Sequence, residues 1–324
     1  MTKAMVQTEH GGPEVMKWQD VTVGKPGKGE ARIRHRAVGL NYIDVYFRTG
    51  LYPHPLPLTT GMEGAAIVEE LGEGVTGLKV GDRVAYAGGP IGAYAEERLI
   101  PAEKLIKIPD SIDDKTAAAM MLQGMTTEYL LQRTFKVKKG DTILFHAAAG
   151  GVGLFACQWA KHIGATVIGT VGSEEKAALA KAHGCTHTIL YREEDFAERV
   201  KEITDGKGVP VVYDAIGKDT FEKSLDCLSP RGLMVSFGNS SGSVTGVNLG
   251  ILTAKGSVYV TRPSLVTYTS TRAELEQSAG DLINLVSSGA IKVNVNQTYA
   301  LEDARTAHRD LEARKTAGST IFTV

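Results

Sequence analysis

The segment between His146 and Gly153 has the residue types of a phosphate-binding turn. Its frame, Ala148-x-Gly150-x-x-Gly153, matches a dinucleotide-binding fingerprint except that alanine stands where the first glycine is usual. Such a turn needs backbone without side chains where a pyrophosphate approaches, and amides at the start of the following helix then hold the phosphates. The alternative is a glycine-rich turn of an α/β fold that binds no ligand.

The residues after the next predicted strand bear on which dinucleotide would bind. An NAD site commonly has an acid there for the ribose hydroxyls, but this strand ends in Val171-Gly172-Ser173. We expect Ser173 to cap the next helix, which places Glu174 in its first turn and Lys176 where a cation meets a 2′-phosphate. The pattern favours NADP, although Glu174 stands at the spacing of an NAD acid and leaves that alternative open.

The elements that position these residues alternate regularly, which predicts a parallel sheet covered on both faces. The glycine turn follows the first of six predicted strands. The strands are expected at 142–147, 166–171, 188–191, 209–215, 233–237 and 257–261. The helices between them are expected at 152–162, 174–183, 193–204 and 220–228.

The flanking segments have a different texture. The first ~125 residues are rich in β-branched runs and Gly or Pro turns, and a helix-forming stretch follows them. Strands are expected at 21–23, 31–37, 65–71, 83–87 and 320–324, and helices at 113–131, 272–288 and 301–313. We therefore expect two packed domains with more than one crossing of the chain between them.

Composition excludes several classes of protein. The chain has 324 residues and a formal net charge of −1, so a general nucleic-acid-binding field is not expected. Its three cysteines form no CxxC pair, which argues against a disulfide framework and a cysteine-rich zinc site. The N-terminus lacks a signal-peptide pattern, and the apolar run 143–160 contains His146 and three glycines. We expect a cytoplasmic protein without a membrane span.

Taken together, the motifs resemble the NADPH:quinone oxidoreductases related to zeta-crystallin, in the zinc-free branch of the medium-chain dehydrogenase/reductase superfamily. The resemblance covers essentially the whole chain. It rests on Gly-Leu-Asn-Tyr-Ile-Asp at 39–44, Phe-His-Ala-Ala-Ala-Gly-Gly-Val-Gly at 145–153, and the segments 11–15, 48–53, 81–84, 156–161, 191–195, 211–214, 235–242, 246–250 and 260–263.

The resemblance implies a Rossmann domain at 126–262, with a doubly wound, six-stranded parallel sheet. It also implies a β-rich GroES-like catalytic domain, a partly open barrel, formed by 1–125 and 263–324. The family is usually homodimeric or tetrameric and binds its cofactor in a cleft. Its zinc-containing relatives use a cysteine in the segment that here contains Asn41, and a histidine where this chain has Met62. No zinc is expected, because neither residue supplies a thiolate or imidazole.

The resemblance also implies the cofactor contacts. Asn41, Tyr46 and Thr127 match positions near the nicotinamide and its ribose. The remaining expected contacts are Ala148, Gly150, Gly151, Val152 and Gly172 on the backbone side, Ser173, Lys176, Tyr191 and Arg314 around the 2′-phosphate, and Phe237, Gly238, Asn239 and Arg262 on or beside a loop that crosses the cofactor.

The expected reaction is transfer of hydride or electrons from NADPH to a small-molecule quinone. Tyr46 and Tyr52, with Asn41, are expected to shape the pocket, and either tyrosine is a candidate proton donor. Asp44 and Arg48 are expected to pair and to organise their loop, and His146 to be structural. Two alternatives remain. One is an NADPH-dependent enone or alkenal reductase, and the other is a non-enzymatic NADPH-binding protein with a structural or RNA-binding role.

Overall fold

The computed structural model of the chain describes residues 2–324, which divide into two compact units. The first unit ends its N-terminal part at Met125 and resumes with Thr269–Val324, and the second is Thr126–Tyr268. Strands are β1 Thr2–Gln7, β2 Lys17–Val21, β3 Glu30–Leu40, β4 Leu58–Thr59, β5 Glu63–Leu71, β6 Arg83–Ala87, β7 Glu97–Pro101, β8 Ile106–Lys107, β9 Thr142–Phe145, β10 Thr166–Val171, β11 His187–Leu190, β12 Val209–Asp214, β13 Leu228–Ser236, β14 Tyr259–Thr261, β15 Val295–Ala300 and β16 Ser319–Thr323.

Helices alternate with these strands mainly in the second unit. They are α1 Tyr42–Thr49, α2 Asp114–Glu128, α3 Gly151–Ile163, α4 Glu174–Ala182, α5 Phe196–Ile203, α6 Phe221–Leu225, α7 Gly250–Ala254, α8 Leu265–Tyr268, α9 Arg272–Ser287 and α10 Ala304–Glu312.

The first unit is built on a mainly antiparallel sheet in the order β15-β16-β3-β5-β6-β8, with β7 paired to β3. A small sheet, β2-β1-β4, accompanies it. Alternate residues of β3, such as Ile33, point into a core that includes Tyr86, Tyr94 and Phe322. The chain returns after the second unit to supply α10 and β16, so both ends of the sequence contribute to this core.

Several elements of the first unit differ from expectation. The strand expected at 21–23 lies earlier, at Lys17–Val21, where β2 pairs with β1. Helix α1 occupies a segment that was expected to be a loop; Asn41 precedes it, and Gly50 ends it with a φ of 80°. A left-handed residue at that position favours glycine, so the stop signal is local.

The second unit confirms the predicted six-stranded parallel sheet. Its order, β11-β10-β9-β12-β13-β14, is that of a doubly wound Rossmann fold, with the strand before the glycine turn near the centre. The strands read as continuous apolar runs because helices cover both faces. Ile168, Val212 and Met234 are among the fully buried side chains of this core.

The second unit extends to Tyr268 rather than ending at 262. The helix expected at 113–131 is α-helical only to Glu128 and continues as a π-helix over Tyr129–Thr134. The Tyr129 and Tyr268 rings stack with centroids 4.6 Å apart, and Arg133 donates to the Tyr268 carbonyl over 2.8 Å. These contacts explain why the segment up to Tyr268 packs with the second unit.

Over residues 2–324, no helix combines the length and the apolar character needed to cross a bilayer.

Candidate functional site

The glycine turn joins β9 to α3 as expected. Gly150 precedes α3 in an extended conformation, and no side chain caps the helix there. A Cβ on Gly153 would lie 2.4 Å from the Ala147 carbonyl oxygen, so only glycine lets the helix approach the turn this closely. Ala148, which replaces the first glycine of the motif, is fully buried. The turn therefore presents the amide end of α3 without a competing side chain.

His146 has the structural role expected of it. Its Nδ1 atom lies 2.9 Å from the Thr170 hydroxyl, and its Nε2 atom lies 2.9 Å from the Ser224 hydroxyl. Burial lowers the pKa of the ring, and the nearby Asp214 carboxyl opposes this. A neutral imidazole with hydrogen bonds at both ring nitrogens therefore supports the shape of the turn.

Three of the residues expected around a 2′-phosphate, Ser173, Lys176 and Tyr191, follow the ends of β10 and β11. The Ser173 hydroxyl accepts a hydrogen bond from the Lys176 amide over 3.3 Å and caps α4 as predicted. A Cβ on Gly172 would be 3.1 Å from the Tyr191 hydroxyl, so that phenol lies directly beside the strand end. Glu174 is exposed on the first turn of α4.

The loop after β13 is anchored by Arg262. Its guanidinium donates to the Ser236 hydroxyl over 3.0 Å and to the Gly238 carbonyl over 2.8 Å. The Phe237 ring packs against Phe145, with centroids 5.8 Å apart. The expected loop residues, including Asn239, therefore follow the carboxyl end of a sheet strand, as the glycine turn does.

Thr127 is the remaining expected residue of the second unit. It is fully buried, and its hydroxyl donates to the Val152 carbonyl over 3.4 Å. The contact places Thr127 against the first turn of α3 and the expected Gly151–Val152 backbone contacts. The structure thus collects the expected residues of this unit at one edge of the parallel sheet, which is where ligands bind in doubly wound folds.

In the first unit, the expected residues lie on and beside α1. The Tyr46 and Tyr52 rings pack with centroids 5.1 Å apart, and Tyr42 packs against Tyr46 at 5.5 Å. Tyr46 is buried and Tyr52 is half-buried. The three rings therefore form one aromatic cluster on and beside α1.

The expected pairing of Asp44 with Arg48 is wrong. Arg48 is almost fully buried and pairs in bidentate fashion with Glu312 of α10, with N–O distances of 2.9 and 2.8 Å. Asp44 instead accepts from the backbone N–H of Asn41 over 2.9 Å and from the Tyr94 hydroxyl over 3.0 Å. The helical turn directs Asp44 and Arg48 to partners on distant segments rather than to each other.

Arg314 follows α10 in the first unit and is exposed, with a φ of 60°. The positive charge of Arg314 lowers the pKa of Tyr42, as does that of Arg48, whereas burial and Glu312 raise it. Arg314 therefore lies near the aromatic side chains of α1, within its own unit.

Sequence reasoning missed two buried groups beside Asn41. Glu63 is fully buried and accepts from the Asn41 side-chain amide over 2.6 Å, and Gln123 donates to the Asn41 oxygen over 3.2 Å. Burial raises the pKa of Glu63 to about 8, against hydrogen bonds that lower it. An acid within the apolar run 61–68 was the available signal.

Within residues 2–324, no group of three or more His, Cys, Asp or Glu side chains is arranged to hold a metal ion.

Comparison with known proteins places both units in one superfamily. Residues 151–283 match the family model described as zinc-binding dehydrogenase, and residues 27–110 match that of the alcohol dehydrogenase GroES-like domain. These matches confirm the expected fold class, a GroES-like domain and a Rossmann domain.

Individual relatives are similar over their full lengths. The chain is 57% identical to a quinone oxidoreductase of Pseudomonas aeruginosa, with 99% of each chain covered. It is 49% identical to a 2-haloacrylate reductase of a Burkholderia species, again with 99% of each covered. The crystal structure of Escherichia coli quinone oxidoreductase complexed with NADPH superposes with a TM-score of 0.98 at 52% identity, covering 99% of this chain and 100% of that one. The chain therefore belongs to the quinone oxidoreductase family of the medium-chain dehydrogenases and reductases.

Proposed function

We propose that this protein is an NADPH-dependent quinone reductase. The observation that carries the proposal is the grouping of Ser173, Lys176 and Tyr191 at the strand end beside an uncapped glycine turn. A dinucleotide bound at the turn would extend its adenosine ribose toward the end of β10, where an NAD enzyme has an acid. This chain has a hydroxyl and an ammonium group there, which suit a phosphate.

The second unit would hold the pyrophosphate through backbone. The amides that open α3 lie at the positive end of the helix dipole, which favours a negatively charged group. The residues assigned to this contact are Ala148, Gly150, Gly151 and Val152. The lack of room for a Cβ at Gly153 supports the assignment, because the last glycine of the motif is the one that lets helix and turn approach closely.

The 2′-phosphate is assigned to Gly172, Ser173, Lys176 and Tyr191, with Arg314 as a further cation. Lys176 and Arg314 would neutralise the phosphate, and the hydroxyls of Ser173 and Tyr191 would donate to its oxygens. The Tyr191 residue is 39% exposed.

The nicotinamide end is assigned to Asn41, Tyr46 and Thr127, with the loop Phe237, Gly238 and Asn239 and its anchor Arg262. When bound, NADPH supplies the hydride, or the electrons, that reduces the quinone. The chain itself would orient the two reactants and exclude water. Holding reactants in the right geometry supplies a large part of the rate enhancement. The aromatic cluster that includes Tyr46 and Tyr52 would give a flat, apolar acceptor aromatic neighbours.

The reaction does not require a proton donor from the protein. Addition of one hydride and one proton converts the quinone into a hydroquinone, and the proton is available from solvent. We therefore assign Tyr46 and Tyr52 to shaping the pocket. Replacing either by phenylalanine should change kcat by less than about threefold, since the ring is kept.

The proposal includes the division of labour between the segments. Residues 126–262 would bind the cofactor, together with 263–268, which pack in the same unit, and 1–125 with 269–324 would form the catalytic domain. The chain has Asn41 and Met62 where zinc-containing relatives have a cysteine and a histidine, so the proposed reaction needs no zinc. A homodimer or tetramer in the cytoplasm belongs to the same proposal, and light scattering of the purified protein tests the assembly.

The proposal is tested by steady-state oxidation of NADPH by the purified protein. The acceptors are 1,4-benzoquinone, naphthoquinones, 2-alkenals and 2-chloroacrylate, each compared by kcat/KM. Quinones should be the best acceptors. Faster turnover of an alkenal or haloacrylate than of every quinone would favour the double-bond reductase instead. No turnover, together with salt-sensitive RNA binding, would favour a non-enzymatic role.

A further inference from the structure

A buried carboxyl group lies next to Asn41 in the first unit. Glu63 opens β5 with none of its surface exposed, and its Oε1 atom accepts from the Leu122 amide over 2.8 Å. Gly39 makes room for it, because a Cβ there would lie 2.3 Å from the Glu63 Oε2 atom. The neighbouring strand and α2 are therefore shaped around this carboxyl.

The charge of Glu63 is costly in this place. Burial raises its pKa, the hydrogen bonds from Asn41 and Leu122 lower it, and the Asp44 carboxyl raises it further. The Glu63 charge also raises the pKa of Tyr86 in β6. A buried carboxylate stabilised by amides rather than by a cation lowers stability relative to an apolar residue of the same size. Such a residue is expected where function needs it.

The Asn41 carboxamide is held from both sides. Its Nδ2 atom donates to Glu63 over 2.6 Å, and its Oδ1 atom accepts from the Gln123 Nε2 atom over 3.2 Å. Ser319 donates in turn to the Gln123 Oε1 atom over 2.7 Å. Above its pKa of about 8, the Glu63 carboxyl is ionised and only accepts, so the arrangement then allows one orientation of the amide and rejects its reverse.

We propose that Glu63 and Gln123 are positioning residues, which orient the Asn41 carboxamide so that its second Nδ2 hydrogen is presented to the nicotinamide end of NADPH. This inference rests on the proposed cofactor site. An amide nitrogen carries two hydrogens, and the bond to Glu63 uses one of them. The acid thus selects nitrogen rather than oxygen as the Asn41 atom that faces the ligand.

The test is an exchange of the two positioning groups. Glu63→Gln alone sets the amide nitrogen of the new side chain against that of Asn41. Glu63→Gln combined with Gln123→Glu allows the hydrogen bonds to Leu122, Asn41 and Ser319 to form again, but with the Asn41 amide reversed. The readouts are NADPH affinity by fluorescence titration, kcat with benzoquinone and the melting temperature. All are measured at about pH 9, above the pKa of Glu63, so that the carboxyl is ionised.

We expect Glu63→Gln to weaken NADPH binding and to lower kcat, each by about tenfold, as loss of one well-placed polar contact does. The double variant should recover the melting temperature and keep both losses. Recovery of NADPH affinity together with stability would overturn the inference, because it would make the network merely structural. Unchanged affinity in Glu63→Gln would overturn it too.

Two further results keep the inference separate from the proposed function. If the exchanged protein does not fold, Ser319→Ala decides, because it removes the hydrogen bond that Ser319 donates to the Gln123 Oε1 atom, with little change in packing. About threefold weaker NADPH binding supports the inference, and unchanged binding overturns it. If the wild type reduces no quinone, the proposed reaction fails, while the affinities still decide whether Glu63 orients Asn41.

Discussion

The Nη1 atom of Arg48 donates to the Nδ1 atom of His308, 2.9 Å away, and thereby sets the protonation of the imidazole. Arginine has no acceptor, so Nδ1 must accept and the ring proton of the neutral histidine must sit on Nε2. Nε2 lies 3.0 Å from the Tyr94 hydroxyl, which donates onward to Asp44. A directed chain of hydrogen bonds therefore joins α10 to the start of α1, next to Asn41.

The Arg48 fork is expected to stabilise the first unit strongly. Arg48→Lys keeps the charge but loses the bidentate bond to Glu312 and the bond to His308. We expect it to lower the free energy of unfolding by about 2–4 kcal/mol, as loss of a buried ion-pair partner does. Urea-induced unfolding measures this. Arg36→Lys is the matched control, because Arg36 is 57% exposed beside Asp114 and should change stability by less than about 0.5 kcal/mol. Equal effects would contradict the account.

His308 is expected to make the protein acid-sensitive. Burial and the Arg48 charge lower its pKa from 6.5 to about 3. Below about pH 6.5 the unfolded chain binds a proton that the folded chain does not, so stability falls as the pH drops toward 3. Between about pH 7 and 5, the wild type should lose about 1–2 kcal/mol more than His308→Gln.

The control for the acid experiment is His54→Gln, which replaces an exposed histidine. It should follow the pH dependence of the wild type. The account of His308 fails if His308→Gln and the wild type lose stability in parallel as the pH falls.

Gly153 is expected to be irreplaceable for steric reasons. A Cβ there would lie 2.4 and 2.6 Å from the carbonyl oxygens of Ala147 and Ala148, which are backbone atoms of the turn itself. Gly153→Ala should lower stability by about 1–3 kcal/mol and weaken NADPH binding. Gly280→Ala is the control, because apart from its chain neighbours and the backbone of its own helix no atom lies within 4 Å of its added Cβ. It should raise stability by about 0.5–1 kcal/mol, since helical glycine is unfavourable. A harmless Gly153→Ala would refute the packing argument.

Lys176 is expected to select NADPH over NADH. Its charge-assisted bond to the 2′-phosphate is worth about 1.5–3 kcal/mol, so Lys176→Ala should weaken NADPH by about 10- to 100-fold and NADH by less than about twofold. Fluorescence titration with both cofactors measures the difference. Lys181→Ala, at the exposed far end of the same helix, should change neither. An equal loss for both cofactors would remove Lys176 from the 2′-phosphate site.

The sequence predicted the second unit well because its signals are local. A β-branched run before Gly150 and a capping serine at 173 each announce an element from adjacent residues, and the alternation of elements predicts the parallel sheet. The elements of the first unit were harder to predict from the sequence. Strand β1 was missed, and α1 was expected to be a loop, although Asn41 and Gly50 stand at its ends as boundary signals.

The polar network around Asn41 could not be predicted from spacing. Asn41 meets Glu63 and Gln123 only because α1, β5 and α2 converge in the folded chain, across 22 and 82 positions of sequence. The pairing of Arg48 with Glu312 spans 264 positions. Local patterns carry no information on such partners, which is why a pair four residues apart was the wrong expectation.

The most direct test of the central claim is a single turnover. The purified protein is loaded with NADPH and mixed rapidly with excess 1,4-benzoquinone, and the near-ultraviolet absorbance of the cofactor is followed. NADPH carrying deuterium in place of the transferred hydrogen is compared with the unlabelled cofactor. The account predicts complete oxidation of the bound NADPH, faster than with NADH or with a 2-alkenal, and slower with the deuterated cofactor. Bound NADPH that benzoquinone leaves unoxidised would contradict it.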